Sequence, residues 1–198
     1  MCIRDSKQLG YNPKNHKLNL KPWIDLQKKI KKRRHKVKIA VVGKYTNLKD
    51  SYKSLNEALV HGGIENSADV DIQWINSEKE NKTSLMKKLK GCDGILIPGG
   101  FGIRGINGKI NAIKYARENN IPFFGICLGM QLAVIEIAQN VLKIKNAHSS
   151  EFKKTTKSVV GLMTEWVNKN KIEKRDKNSD KGGTMRLGAY KALSLIHI

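Results

Sequence analysis

The sequence predicts an α/β fold: a doubly wound, mostly parallel sheet with helices on both faces. Two observations carry that expectation. Short, continuous apolar runs bounded by turn residues alternate four times with segments whose apolar residues recur at helical spacing. Strands that are apolar throughout are buried on both faces, the mark of a parallel sheet covered by crossover helices. The second observation is the glycine content of two turns, Pro98-Gly99-Gly100 and Gly125-Ile126-Cys127-Leu128-Gly129. Open parallel sheets collect ligands at the carboxyl ends of their strands, where both turns fall.

Residues 1–36 are polar and basic and contain Pro13 and Pro22. They read as an interdomain linker with one short amphipathic helix around Trp23–Ile30, in which Trp23, Leu26, Gln27 and Ile30 share a face. Residues 37–198 read as one domain. Val37–Gly43 is a buried strand. Asp50 or Ser51 caps a helix with the face Leu55, Ala58 and Leu59, closed by Gly62-Gly63. Val70, Ile72 and Trp74 alternate as a second strand. Thr83 opens a short helix carrying Leu85, Met86 and Leu89, which Gly91 stops. Gly94–Ile97 is a strand running into the first glycine turn, and Ile110, Ile113 and Ala116 mark the helix after it. Ile121–Ile126 is the fourth strand. Leu132, Ile135, Ile137 and Ala138 carry a helix to about Asn140. Val159–Met163 fits a further strand, and 167–183 an exposed loop or hairpin.

Composition limits the classes of function. Thirty-eight Lys and Arg against 17 Asp and Glu give a net charge of +21, which would suit a nucleic-acid binder. The basic residues are dispersed and mostly Lys, however, and only 6% of residues are aromatic. Basic runs such as Lys28–Arg34 lack interleaved aromatics that could stack on bases. A solvated Lys-rich surface is the expectation, with no nucleic-acid partner. No apolar run approaches the roughly 18 residues of a membrane span, and Met1–Ser6 lacks a secretory core. A cytoplasmic protein with no membrane partner is expected. Cys2, Cys92 and Cys127 form no CxxC pair and meet no His at zinc-ligand spacing, so no metal site is expected.

Cys127 carries the strongest chemical signal. A nucleophile at a sharp strand-to-helix turn projects above the sheet on a strained backbone that needs small neighbours. Gly125 and Gly129 flank Cys127 at i−2 and i+2. The helix that starts after it aims its first N–H groups at the sulfur and favours the thiolate. The N–H of Leu128 is placed to hold an oxyanion, and Gly100 in the other turn to supply a second donor. The competing reading is a buried Cys before an ordinary βα turn, against which the paired glycines argue.

Gly125-Ile126-Cys127-Leu128-Gly129-Met130-Gln131 resembles the nucleophile motif of the class I glutamine amidotransferases, a family with a flavodoxin-like fold. Val41–Tyr45, Pro98–Gly105, Asn146–Phe152 and Gly182–Gly188 are similar to the CTP synthase branch of that family in order and spacing. The resemblance spans about residues 7–193 and implies a glutamine-hydrolysing role. Cys127 would attack the glutamine side-chain amide, Gly100 and Leu128 would hold the oxyanion, and Leu128, Gly129, Met130, Gln131 and Glu151 would bind glutamine. Glu151 would meet the substrate's α-ammonium. In the complete enzymes of that branch, ammonia passes to a synthetase domain that uses ATP and magnesium to aminate UTP to CTP. GTP is the activator and the assembly a homotetramer.

The same resemblance implies that residues 37–198 are an incomplete amidotransferase domain. The synthetase domain and the later segment with a His-Pro-Glu general base have no counterpart here. None of His16, His35, His61, His148 and His197 stands in the expected context. His148 reads as surface variation and His197 as part of an unrelated tail. Both terminal hexapeptides read as foreign sequence. A thiolate without its acid–base partner loses several powers of ten in turnover, so the 198-residue chain alone is expected to be inactive. Two other readings stay open: the amidotransferase domain of another synthase, and a non-catalytic basic binding or assembly module.

Overall fold

The structure, a computed structural model, describes residues 8, 10, 19–32, 35–44, 46, 49–161, 165–168 and 171–174. Helix α1 (Lys21–Lys31) is followed by strand β1 (His35–Gly43), a 3₁₀ turn at Lys49–Tyr52 and α2 (Lys53–Glu65). Then come β2 (Ala68–Asn76), α3 (Lys82–Leu89), β3 (Gly94–Ile97), α4 (Ile106–Glu118), β4 (Phe123–Gly125) and α5 (Leu128–Asn140). The four strands form one sheet of order β2-β1-β3-β4, parallel throughout. The expected doubly wound α/β sheet is therefore what the chain builds.

Strand alternation assigns the two faces. Ala40, Val42, Ile75, Ile95 and Ile97 point into a core shared with Leu85 and Leu89 of α3, Ala112 and Ile113 of α4, and Leu128, Leu132 and Ile135 of α5. Helix α3 packs on α4, and α4 on α5, across this face. The opposite face carries the row Trp74, Val41, Leu96 and Phe124, neighbours by register. Helix α2 covers its β2 end, and Tyr52 stacks on Trp74 with ring centroids 5.2 Å apart. Phe124 at the other end is 63% exposed.

Several element ends differ from expectation. Neither Asp50 nor Ser51 caps α2; the 3₁₀ turn leads into it, and Tyr52 at the N-cap makes no side-chain capping bond. Gly62 and Gly63 do not close α2, which runs on to Glu65. A Cβ on Gly63 would lie 2.6 Å from Val70 Cγ2 and 2.8 Å from the Ala68 carbonyl oxygen, so Gly63 marks close approach to β2. The chain turns instead at Ser67, which has φ 55°. Helix α3 starts one residue early because the Asn81 side chain accepts from the Ser84 N–H at 2.8 Å. Helix α1 exposes its apolar face, with Trp23 67% exposed, and Lys29 pairs with Glu65 of α2 at 2.6 Å.

Beyond α5, β5 (His148–Ser149) pairs in parallel with β6 (Ser158–Val160), and β6 packs on α5. Strand β6 occupies the start of the expected Val159–Met163 strand; Leu162 and Met163 lie outside the described residues, as do both terminal hexapeptides and Gly182–Gly188. Strands β7 (Glu165–Asn168) and β8 (Lys171–Lys174) make an antiparallel hairpin that begins two residues before the expected loop or hairpin of 167–183 and overlaps its start. No helix among the described residues is long and apolar enough to cross a membrane.

Candidate active site

Strands β3 and β4 lie side by side, with Ile97 opposite Gly125, so the turns that follow them meet at the carboxyl edge. The Ile126 N–H donates to the Ile97 carbonyl at 2.9 Å, which extends the pairing up to the bend. Cys127 then takes φ 51°, ψ −106° and serves as the N-cap of α5. A non-glycine residue held at positive φ carries strain of about 1–3 kcal/mol, and here the glycines allow it. A Cβ on Gly125 would lie 2.6 Å from the Met130 nitrogen, and one on Gly129 would lie 2.2 Å from the Ile97 oxygen. Both positions need hydrogen because the first turn of α5 lies directly against the sheet.

The sulfur side chain is exposed. A Cβ on Gly99 would be 3.6 Å from the Cys127 Cβ, and one on Gly100 would be 3.7 Å from Leu128 Cδ2. Gly99, Gly100, Cys127 and Leu128 are thus neighbours. Leu128 begins α5, where the first N–H groups have no intrahelical acceptor. The N–H groups of Gly129 and Gln131 are engaged by the carbonyls of Ile126 and Cys127. Met130 is 59% exposed beside the elbow, and Gln131 is half-buried. Glu151 stands outside the four-stranded sheet, in the exposed turn after β5, where its N–H donates to Ser149 Oγ.

Cys92 makes a useful contrast. It lies before β3, at the amino end of the sheet, and is only 6% exposed. Its Sγ contacts Gln73 Oε1 and the Lys88 carbonyl, each at 3.5 Å. Burial pushes its thiol pKa up, which disfavours the nucleophilic thiolate. His148 packs edge-on against Phe152, its Nδ1 accepts from the Ser149 N–H, and burial with the nearby Lys153 charge lowers its pKa. Among the described residues no three His, Cys, Asp or Glu side chains converge to hold a metal.

Sequence reasoning missed two lysines under the Gly99–Phe101 turn. Lys44, at the end of β1, is 7% exposed and donates from Nζ to the Phe101 carbonyl. Lys109, in the first turn of α4, is fully buried, and its Nζ has no hydrogen-bond partner among the described residues. Burial, with the Lys44 charge, lowers its pKa to about 8. Lys44 directly follows Val41-Val42-Gly43, and an ionisable residue at the end of a buried central strand was the available signal. Lys109 falls one residue before Ile110 on the apolar side of its helix, a pattern that Lys usually escapes by snorkelling.

This elbow on this sheet defines a class of protein, and comparison with known families agrees. Residues 47–197 match the model of the family "Glutamine amidotransferase class-I", and the chain belongs to that family. Its match within the family is to the amidotransferase domain of CTP synthases. It is 54% identical over 175 residues to the CTP synthase of Nitratidesulfovibrio vulgaris strain DP4, covering 87% of this chain and 32% of that protein. It is 57% identical over 158 residues to the CTP synthase of Desulfovibrio desulfuricans, covering 78% and 29%. The chain thus spans about a third of the length of these relatives. A solved structure of the Trypanosoma brucei CTPS glutaminase domain with bound acivicin superposes with a TM-score of 0.58 at 43% identity, covering 64% of this chain and 50% of that one.

Proposed function

We propose that this chain is the glutamine-hydrolysing part of a CTP synthase, with Cys127 as its nucleophile. The observation that carries the proposal is the exposed Cys127 at φ 51°, against Gly99 and at the N-terminus of α5. The thiolate attacks the side-chain amide carbon of glutamine, and the C=O π pair moves to oxygen. The N–H groups of Gly100 and Leu128 stabilise that oxyanion. Collapse breaks the C–N bond, the nitrogen takes a proton from solvent water and leaves as ammonia, and a glutamyl thioester remains. Water then cleaves the thioester to glutamate and the free thiol.

Gln131 and the exposed Met130 border the elbow, which supports a glutamine site there, with Glu151 as the carboxylate for the α-ammonium. Gly129 serves that site by letting α5 approach β3. Ammonia is used to aminate UTP to CTP in the synthetase domain of the complete enzyme, where ATP and magnesium act. GTP activation and tetrameric assembly belong to that larger protein. Among the described residues no three His, Cys, Asp or Glu side chains converge to offer magnesium a donor set.

A glutamine-like diazo ketone tests the assignment. The adduct is expected on the Cys127 peptide, slowed by excess glutamine, lost in Cys127→Ala and kept in Cys92→Ala. An adduct confined to Cys92 overturns it.

A further inference from the structure

We propose that Lys44 is a positioning residue for the oxyanion turn: its ammonium ties the end of β1 to the Phe101 carbonyl and so holds the Gly100 N–H in its working direction. The proposal rests on the amidotransferase reading above and assigns that site a residue from outside both glycine motifs.

The turn needs a tether. Phe101 is 74% and Ile103 64% exposed, so neither side chain packs the loop down. Gly102 and Gly105 take φ 74° and 73°, a backbone that glycine leaves free to move elsewhere. On its near side the turn is held where Gly99 abuts Cys127. On its far side the Lys44 Nζ bond to Phe101 holds it, helped at the rim by the exposed Arg104–Glu78 pair at 3.4 Å. Gly100 lies between the two supports.

Lys44 is itself rigidly mounted. The Asn76 side chain donates to its carbonyl at 3.2 Å, and the same side chain accepts from the N–H groups of Glu78 and Lys79. The Ser77 N–H donates to the Gly43 carbonyl at 2.9 Å, which closes the ends of β1 and β2 together. The stem of Lys44 walls the turn, its Cε 3.7 Å from where a Gly100 Cβ would lie, with Lys109 Nζ at 3.8 Å from the same point. Burying one ammonium beside another is unfavourable, and the bond from Lys44 Nζ to the Phe101 carbonyl offsets part of that cost.

The test compares two thiol reagents on the full 198-residue chain. Iodoacetamide needs only an accessible thiolate, whereas a glutamine-like diazo ketone also needs its carbonyl oxygen seated at the turn. In Lys44→Met the diazo-ketone rate is expected to fall about ten- to a hundredfold, with the iodoacetamide rate within about twofold. Lys44→Arg, which keeps a donor of similar reach, recovers most of the loss. Amide exchange at Gly100–Gly102 speeds up in Lys44→Met while exchange in β1 and β3 does not. If Lys44→Met fails to fold, Lys44→Gln, too short to reach Phe101, replaces it. An unchanged diazo-ketone rate, an equal fall for both reagents, or unchanged exchange at Gly100–Gly102 overturns the proposal. Should the unaltered chain not react with the diazo ketone, the glutamine site is not completed in it, and amide exchange still decides the tether.

Discussion

Gly129 lies so close beneath β3 that a methyl group on its Cα would sit 2.2 Å from the carbonyl oxygen of Ile97. That contact brings the first turn of α5 onto the sheet and turns Cys127 outward. Gly129→Ala is expected to destabilise the fold by about 1–3 kcal/mol, since overpacking here meets backbone and not a movable side chain. Gly63→Ala should behave similarly through the Ala68 carbonyl. Gly62→Ala, with nothing within 4 Å of its new methyl, should stabilise α2 by about 0.5–1 kcal/mol. Urea unfolding of the three variants checks the order; a stabilised Gly129→Ala would show that the elbow is loose.

The two described cysteines should differ sharply in reactivity. Cys127 is exposed and Cys92 is buried with a raised thiol pKa. Iodoacetamide at neutral pH, followed by peptide mapping, is expected to modify Cys127 well before Cys92. Comparable rates at the two sites would contradict the packing around Cys92.

Lys109 should give stability a distinct pH dependence. Burial first, and then the Lys44 charge, lower its pKa from 10.5 to about 8, with Glu78 acting in the opposite direction. Between these values the unfolded chain holds a proton that the folded chain has released, so stability rises with pH across that window. Below pH 8 both states are charged and the cost of the buried ammonium is felt in full. Lys109→Met is expected to be more stable than the parent at pH 7, with the gap narrowing as pH climbs from 8 to 10.5. Paired urea midpoints across that range read this out, and a gap that ignores pH would rule out Lys109 as its source.

Glu136 of α5 is fully buried and held by Arg117 of α4 through bonds of 2.8, 3.1 and 3.2 Å. Removing the guanidinium strands a carboxylate in the core, whereas removing both charges does not. Arg117→Met should lower the melting temperature, and adding Glu136→Leu should restore most of it. A double variant no better than the single one would mean that the pair does not act as a unit.

Asn81 accepts from the Ser84 N–H at 2.8 Å and caps α3. Asn81→Ala is expected to cost about 1 kcal/mol and Asn81→Asp little. Thermal melts of the two variants distinguish a cap from a mere surface position.

Much of this was legible in the chain itself. Val37–Gly43, Gly94–Ile97 and the runs between them announced strand and helix because periodicity is a local property, written in which residues repeat at two or at 3.6. The bend at Cys127 was legible for the same reason: Gly125 and Gly129 stand at short, fixed offsets from it. Element ends were less so. Gly62-Gly63 looks like a helix stop, and only the nearness of Ala68 and Val70, set by the pairing of β1 with β2, shows it to be a contact.

The sequence by itself determined the alternating strands and helices, the resemblance to the amidotransferase family, and the thiol on which the chemistry is proposed to turn. Tertiary structure alone decided that Gly99 and Gly100 stand beside Cys127 and Leu128, that Lys44 reaches Phe101 across 57 positions of chain, and that Lys109 is buried with no bonding partner among the described residues. The reason is physical. A parallel sheet brings the carboxyl ends of distant strands to one edge, and neither the spacing of residues along the chain nor their type records which side chains will meet there.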